Sequence, residues 1–197
     1  MIKVILFDIG GCYFQGSIID FVNKSYKVLG INKIFHTEKE VVFDKALNKG
    51  EITLEECFRR YFDTHISDEQ MKKIIGFWTT TWSPRDEMVE LAKRLKKNYK
   101  LGVFSNSDAV NSKNYTKRGW YDIFNILILS HEIGIIKPDK RIYQIAIQKS
   151  KAKPEQILFI DDEEDCLKTA TELGMKTILF RSVSQFKKEL KQMGIKF

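Results

Sequence analysis

The sequence predicts an α/β fold, a Rossmann-like parallel sheet with helices on both faces plus an inserted α-helical cap. Three observations lead there. Apolar runs of strand length, without the alternation of a half-exposed strand, stand at residues 4–7 (Val-Ile-Leu-Phe), 101–104 (Leu-Gly-Val-Phe) and 157–160 (Ile-Leu-Phe-Ile). In the second half of the chain such runs alternate with amphipathic segments of helical spacing, the pattern of parallel strands joined by crossover helices. Residues 15–83 break that alternation, because their helical patterns follow one another with no strand between. The expected division is therefore a core of residues 1–14 and 84–197 and a cap of residues 15–83.

The elements follow in order. Residues 4–7 are the first strand, left through Gly10 and Gly11. Residues 20–29 put Phe21, Val22, Ser25, Tyr26 and Leu29 on one helical face, with Gly30 as a natural stop. A second helix carries Val41, Val42, Ala46 and Leu47 and ends at Gly50. Thr53 and Glu56 read as a capping box opening a helix with Cys57, Phe58, Tyr61 and Phe62. Residues 67–77 are a further helix capped by Ser67, after which the chain returns to the core. Phe14, Trp78 and Trp82 flank the two crossings and serve either as packing or as a wall of a small-ligand pocket. Then come a helix at 85–95 with Met88, Leu91, Ala92 and Leu95 inward, a strand at 100–104, a helix at 111–118 and a strand at 126–130. The chain closes with a helix at 141–150, a strand at 156–160, a helix at 166–173, a strand at 176–180 and an amphipathic helix at 183–193.

Composition narrows the class. A chain of 197 residues with 43% hydrophobic content suffices for one α/β core and a small inserted domain. No apolar run approaches the ~20 residues of a bilayer-spanning helix, and the chain opens on a strand rather than a basic, apolar and cleavable leader. A soluble, cytoplasmic protein with no membrane partner is expected. Cys12, Cys57 and Cys166 have neither an even count nor metal-ligand spacing, so they read as small core residues in a reducing compartment. The net charge of +7 comes from lysines and arginines scattered among acids. With no basic-aromatic ribbon, nucleic acid is not an expected partner.

Open α/β sheets hold ligands outside the carboxyl ends of their strands, and the chemistry-bearing residues gather there. Asp8 ends the first strand, where a carboxylate either satisfies the N–H groups of the turn or acts as nucleophile or metal ligand. Ser105 and Asn106, followed by Ser107 and Asp108, either start the next helix or bind an anion. Lys137 stands before Pro138, a residue suited to the first turn of a helix, and is a surface lysine or a fixed cation. Asp161 and Asp162 cap the following helix or hold a metal. An aspartate, a serine, a lysine and an acidic pair, in that order, make up a magnesium-assisted phosphoryl-transfer site.

This order and spacing resemble the haloacid dehalogenase superfamily of hydrolases, in the branch with a helical cap after the first strand, and within it the sugar-phosphate phosphatases of the Asp-x-Gly type. Asp8 matches the first motif, Ser105 the second, Lys137 the third and Asp161-Asp162 the fourth. The stretch from Ser130 through Lys137 to Asp139, and Phe159 to Asp162 followed by Leu173-Gly174-Met175, carry much of the likeness. The resemblance implies a phosphatase using magnesium (Mg2+) on a small phosphorylated metabolite, as a monomer or homodimer. In it Asp8 would form an aspartyl phosphate. Asp8, the backbone carbonyl of Gly10 and the acidic pair, Asp162 foremost with Asp161 beside it, would hold the metal. Ser105 and Asn106 would bind phosphoryl oxygens, and Lys137 would fix both the nucleophile and the transferring group.

One departure from the family pattern stands out. The phosphatases carry a second, acid/base aspartate two residues after the nucleophile, and here that place is Gly10. The substrate then has a good leaving group, such as a sugar 1-phosphate or an acyl phosphate. Otherwise a water, Tyr13 or a cap residue moves the proton, or the site binds with little turnover. Two other functions stay open: a metal-free 2-haloacid dehalogenase, against which the acidic pair argues, and a non-catalytic phosphometabolite-binding or regulatory protein.

Overall fold

The computed structural model describes residues 1–37 and 43–197. In chain order the elements used below begin with β1 (Val4–Phe7), β2 (Phe14–Gln15), α1 (Ile18–Val28), α2 (Lys45–Asn48), α3 (Leu54–Phe62), α4 (Asp68–Thr80) and β3 (Ser83–Pro84). They continue with α5 (Asp86–Leu95), β4 (Lys100–Ser105), α6 (Ala109–Lys117), β5 (Ile126–Leu129), α7 (Ser130–Ile133) and α8 (Lys140–Ser150). The last are β6 (Ile157–Asp161), α9 (Glu164–Glu172), β7 (Lys176–Leu179) and α10 (Val183–Gln192).

β1 lies at the centre of a parallel sheet of order β5-β4-β1-β6-β7, paired with β4 on one edge and β6 on the other. Its side chains alternate between two cores, which is why the run needs no polar residue. Val4 and Leu6 pack with Phe104, Ile128 and Phe159 under α8 and α9. Ile5 and Phe7 pack with Val103 and Ile160 under α5 and α10. From β1 the chain builds outward through β4 and β5, then crosses back to lay β6 and β7 on the other side. Such a reversal of strand order leaves a crevice at the carboxyl ends of the strands.

Between β2 and β3 the chain makes a helical insertion. The two crossings pair with each other as a short antiparallel ribbon, Phe14 against Pro84 and Gln15 against Ser83. The insertion packs around its own cluster, with Phe21, Val22, Phe58, Ile74 and Trp78 among its members. Thr53 and Glu56 form the expected capping box on α3, and Ser67 with Gln70 forms one on α4. Two side chains stitch α4 to α6: Trp78 Nε1 donates to Asp108 Oδ2 at 3.1 Å, and Asn114 Nδ2 donates to the Thr79 carbonyl at 2.8 Å.

Three local expectations change. The second helix shrinks to the single turn α2, which holds Ala46 and Leu47 and is followed by Gly50 at φ +71°, whereas Val41 and Val42 lie outside the described residues. The strand expected over 126–130 stops at Leu129, because Ser130 turns inward to open α7. Pro138 precedes α8 rather than sitting in its first turn. Asp139 is the cap, its carboxylate accepting from the Arg141 N–H at 2.9 Å. All three cysteines are buried thiols, and among the described residues no helix is long and apolar enough to cross a membrane.

Candidate active site

The sheet register assembles the site. Asp8 continues β1, its N–H donating to the Ile160 carbonyl at 2.8 Å, so it stands level with Asp161 at the end of β6 and with Phe104, one residue before Ser105, on β4. Asp8 makes no side-chain capping bond to the turn that follows, which removes the structural reading of this carboxylate. Instead Lys137 Nζ donates to Asp8 Oδ1 at 2.8 Å and to Asp161 Oδ2 at 2.5 Å. Lys137 is only 4% exposed, so it is no surface lysine. Its ammonium also lies 5.4 Å from the ring centre of Phe104 and 5.1 Å from that of Phe159.

Asn106 fixes Lys137 from the backbone side. Its Nδ2 donates to the Lys137 carbonyl at 3.1 Å and its Oδ1 accepts from the Lys137 N–H at 2.8 Å, so the amide positions the lysine. Asp161 divides its oxygens: one takes the Lys137 ammonium, the other accepts from the Glu163 N–H at 2.9 Å. Asp161 thus both supports the turn that leads into α9 and pairs with the site's cation. Ser105 is 3% exposed and lines the pocket above Asp8.

The electrostatics follow from two buried carboxylates around one cation. Burial pushes the Asp8 carboxyl up to about 7, with Asp161 and Asp162 adding to the rise and Lys137 opposing it. Burial also opposes the charge on Lys137, but Asp8 and Asp161 outweigh it and hold the ammonium well above the ordinary lysine range. Burial, then Asp161, raises Asp162 as well. A site so rich in carboxylate is short of positive charge.

Asp8, Asp162 and Cys12 each direct a ligand atom to one spot, all within 4.8 Å of one another. The Cys12 thiol points at Asp162 Oδ1 at 3.7 Å, and burial, reinforced by Asp8 and Asp162, keeps it protonated. The donors left for a cation are then hard carboxylate oxygens, the kind magnesium prefers. Gly11 keeps this space open, since it sits at φ +65° and a Cβ there would come within 2.2 Å of Asp162 Oδ2.

A family model for haloacid dehalogenase-like hydrolases matches residues 2–174. The chain belongs to this family. Among curated proteins, the D-ribitol-5-phosphate phosphatase of Bacteroides thetaiotaomicron is 24% identical over 206 residues, covering 96% of this chain and 97% of that one. The bifunctional epoxide hydrolase 2 of Rattus norvegicus is 40% identical over 70 residues, which is 36% of this chain and spans only 13% of that protein's length. Among solved structures, a family enzyme from Bacteroides thetaiotaomicron in complex with magnesium and inorganic phosphate aligns with a TM-score of 0.77 at 24% identity. That alignment covers 94% of this chain and 99% of the other, and it is a likeness of fold.

In this haloacid dehalogenase-like hydrolase the two glycines after Asp8 differ in kind. Gly10 has an ordinary extended backbone (φ −64°, ψ 142°), and a Cβ there would meet Asp8 Oδ2 at a comfortable 3.7 Å. Nothing in the backbone demands glycine at position 10, whereas position 11 does. Tyr13, one of the residues considered for proton transfer, is 1% exposed among Phe7, Phe14 and Phe124, with its hydroxyl pushed up to about 12 by burial. It belongs to the core, as does Phe14. Trp78 and Trp82 line a second chamber.

That chamber, about 210 Å³, adjoins the reaction pocket of about 280 Å³, and both are bounded by Gly10, Asn48, Ser105 and Asn106. Asn48, on the one-turn helix α2, is a site residue with no sequence signature. The same holds for Asn111 and Tyr121, which look like ordinary polar positions of a helix and a turn. Asp108 did carry a signal, as the last of four small polar residues after a strand, but that signal also describes the helix cap it provides for α6.

Proposed function

We propose that the chain is a magnesium-dependent phosphatase that hydrolyses a small phosphomonoester through an aspartyl-phosphate intermediate on Asp8. The observation that carries this reading is the sharing of the Lys137 ammonium between Asp8 and Asp161 beneath an open pocket, with a second carboxylate, Asp162, beside Asp8. A carboxylate held by one oxygen presents its other oxygen to an incoming phosphorus and splits one hard displacement into two. Lys137 favours the ionised form of Asp8 against burial and the acidic neighbours, and it meets the negative charge of the transferring group. Ser105 offers its hydroxyl to a phosphoryl oxygen. Asp8 and Asp162 would hold magnesium, which would supply the charge neutralisation that attack of an anion on an anion requires. The likeness to a D-ribitol-5-phosphate phosphatase over almost the whole chain supports the same reading.

The insertion, residues 15–83, acts in this account as a cap over a core of residues 1–14 and 84–197. Gly10 leaves the leaving group without the usual carboxylic acid, so substrates whose alcohol departs readily are favoured. General acid catalysis typically contributes 10²–10⁴-fold, a loss that slows such a site without silencing it.

Phosphate release from a panel of phosphorylated metabolites and an aryl phosphate, measured with magnesium and with a chelator, tests the proposal. Release that needs magnesium is the expected result. Halide release from 2-haloacids that is indifferent to chelator would replace it with the dehalogenase reading, and tight binding without turnover would replace it with a regulatory one.

A further inference from the structure

The sheet register gathers at one end of the molecule a charge that the chain order disperses. Lys3 precedes β1, its N–H donating to the Gln156 carbonyl at 2.8 Å and its carbonyl accepting from the N–H of Lys100 at 3.0 Å, and Lys100 opens β4. Lys153 heads the 3-10 turn that leads into β6, and Lys176 opens β7. Four neighbouring strands thus each have a lysine at or just before their start, a row about 14 Å across at the usual strand spacing. Lys96 and Lys97 follow α5, Lys151 follows α8, and Lys196 lies beside the start of β4, its N–H donating to the Tyr99 hydroxyl at 3.0 Å. All eight lysines are exposed, and none takes part in an ion pair among the described residues.

The carboxylates at this end are Asp122, whose carbonyl accepts from Lys96 Nζ at 3.3 Å, and Glu155, together with Glu172, which is paired with Lys140. Eight lysines against two unpaired acids leave an excess of six positive charges, nearly all of the chain's +7. Lysines often offset the carboxyl ends of helices, and α5, α8, α9 and α10 finish here. Each such end carries about half a negative charge, roughly two in all, so the excess is far more than the helices use. In the chain these lysines are interspersed with acids, which is why nucleic acid is not expected from the sequence. The fold separates the two, sending Asp161, Asp162 and Glu163 to the opposite end with the reaction pocket.

We propose that this lysine face docks the chain on the phosphate backbone of nucleic acid, which it meets by charge without regard to base sequence. A row of single charges fits a linear chain of phosphates. Lysine contributes point charges, and among the described residues no aromatic ring is exposed at this end to read a base. A bilayer would be gripped by apolar side chains beside the lysines, whereas the apolar residues at the row's own strand starts, Val4, Leu101 and Ile157, are buried. The reaction pocket lies at the other ends of the same strands and stays open while the face is occupied. The inference is independent of the phosphatase reading.

The test follows the fluorescence anisotropy of a short labelled DNA duplex of mixed sequence with the full chain over a series of salt concentrations. The four row lysines, each meeting a phosphate, set a log–log slope with salt of about −3.6, and a duplex of scrambled sequence should bind within about 2-fold. Lys3→Gln, Lys100→Gln and Lys176→Gln combined should cut affinity roughly 10-fold or more and make the slope shallower by about 3. Lys24→Gln, Lys27→Gln and Lys72→Gln combined remove the same charge from exposed positions of the insertion and should change affinity by no more than about 2-fold. Melting temperatures confirm that each protein is folded. No binding at low salt, an equal loss in the two triple variants, or tighter binding to phosphatidylserine vesicles or to polyglutamate than to DNA overturns the proposal.

Discussion

Asp8 is a carboxylate whose ionisation is opposed by burial and by two acidic neighbours and supported by Lys137. Its folded value of about 7 stands above the ordinary 3.8, so the folded chain holds a proton there that the unfolded chain releases. Stability of the metal-free protein should therefore fall as pH rises from about 4 to about 7. Lys137, raised above its ordinary value, contributes constantly across that window. Melting temperatures in chelator over this range should show the decline, and Asp8→Asn should flatten it. A wild-type slope of the opposite sign contradicts this electrostatic picture. Gly10 offers a second residue-scale test: its backbone and the 3.7 Å clearance to Asp8 accept a side chain. Gly10→Asp should raise turnover of substrates with poor leaving groups by roughly 10–100-fold while changing aryl phosphate turnover little, and equal change on both would show that the proton step is not limiting. Asp8 and the acidic pair stood out as carboxylates at the ends of apolar strands, whereas Ser105 and Lys137 look ordinary alone and were raised only by their place in the ordered set. Asn111 and Tyr121 were not legible, since a polar residue that faces a chamber and one that faces water look alike in a sequence.

Among the elements, the single turn α2 and the short helix α7 join the insertion to the core. Ser130, fully buried at the start of α7, donates to the Asn48 carbonyl at 2.5 Å and accepts from the Ser107 N–H at 2.9 Å. One hydroxyl thus ties the turn that carries Asn48 to the loop that follows Ser105. Gly50 closes the same contact, since a Cβ on it would stand 2.6 Å from the His131 carbonyl. Ser130→Ala should loosen this tie by about 1–2 kcal/mol, raising KM roughly tenfold with kcat little changed, and an unaltered KM would show that the turn is held without it. α2 was read as part of a longer helix ending at Gly50, whereas α7 was not legible, because one turn of helix is too short for a period of 3.6 residues to register. The longer helices were, through capping pairs such as Thr53 with Glu56 and stripes such as Met88, Leu91, Ala92 and Leu95.

At the scale of the whole molecule, the reversal of strand order around β1 places Asp8, Ser105 and Asp161 at one crevice, and the insertion contributes Asn48, Trp78 and Trp82 above it. The parallel sheet was legible from its doubly buried apolar runs, and the inserted helices from the missing strands between them. How the insertion sits on the core was not, because that depends on contacts such as Trp78 with Asp108, which join residues far apart in the chain. The central claim is that Asp8 is the nucleophile, and phosphate release by purified Asp8→Asn measured against wild type at saturating magnesium tests it most directly. The variant should fold, since Lys137 keeps Asp161 as a partner, and release should fall by on the order of 10³-fold or more. Release near the wild-type rate from the folded variant would contradict the account.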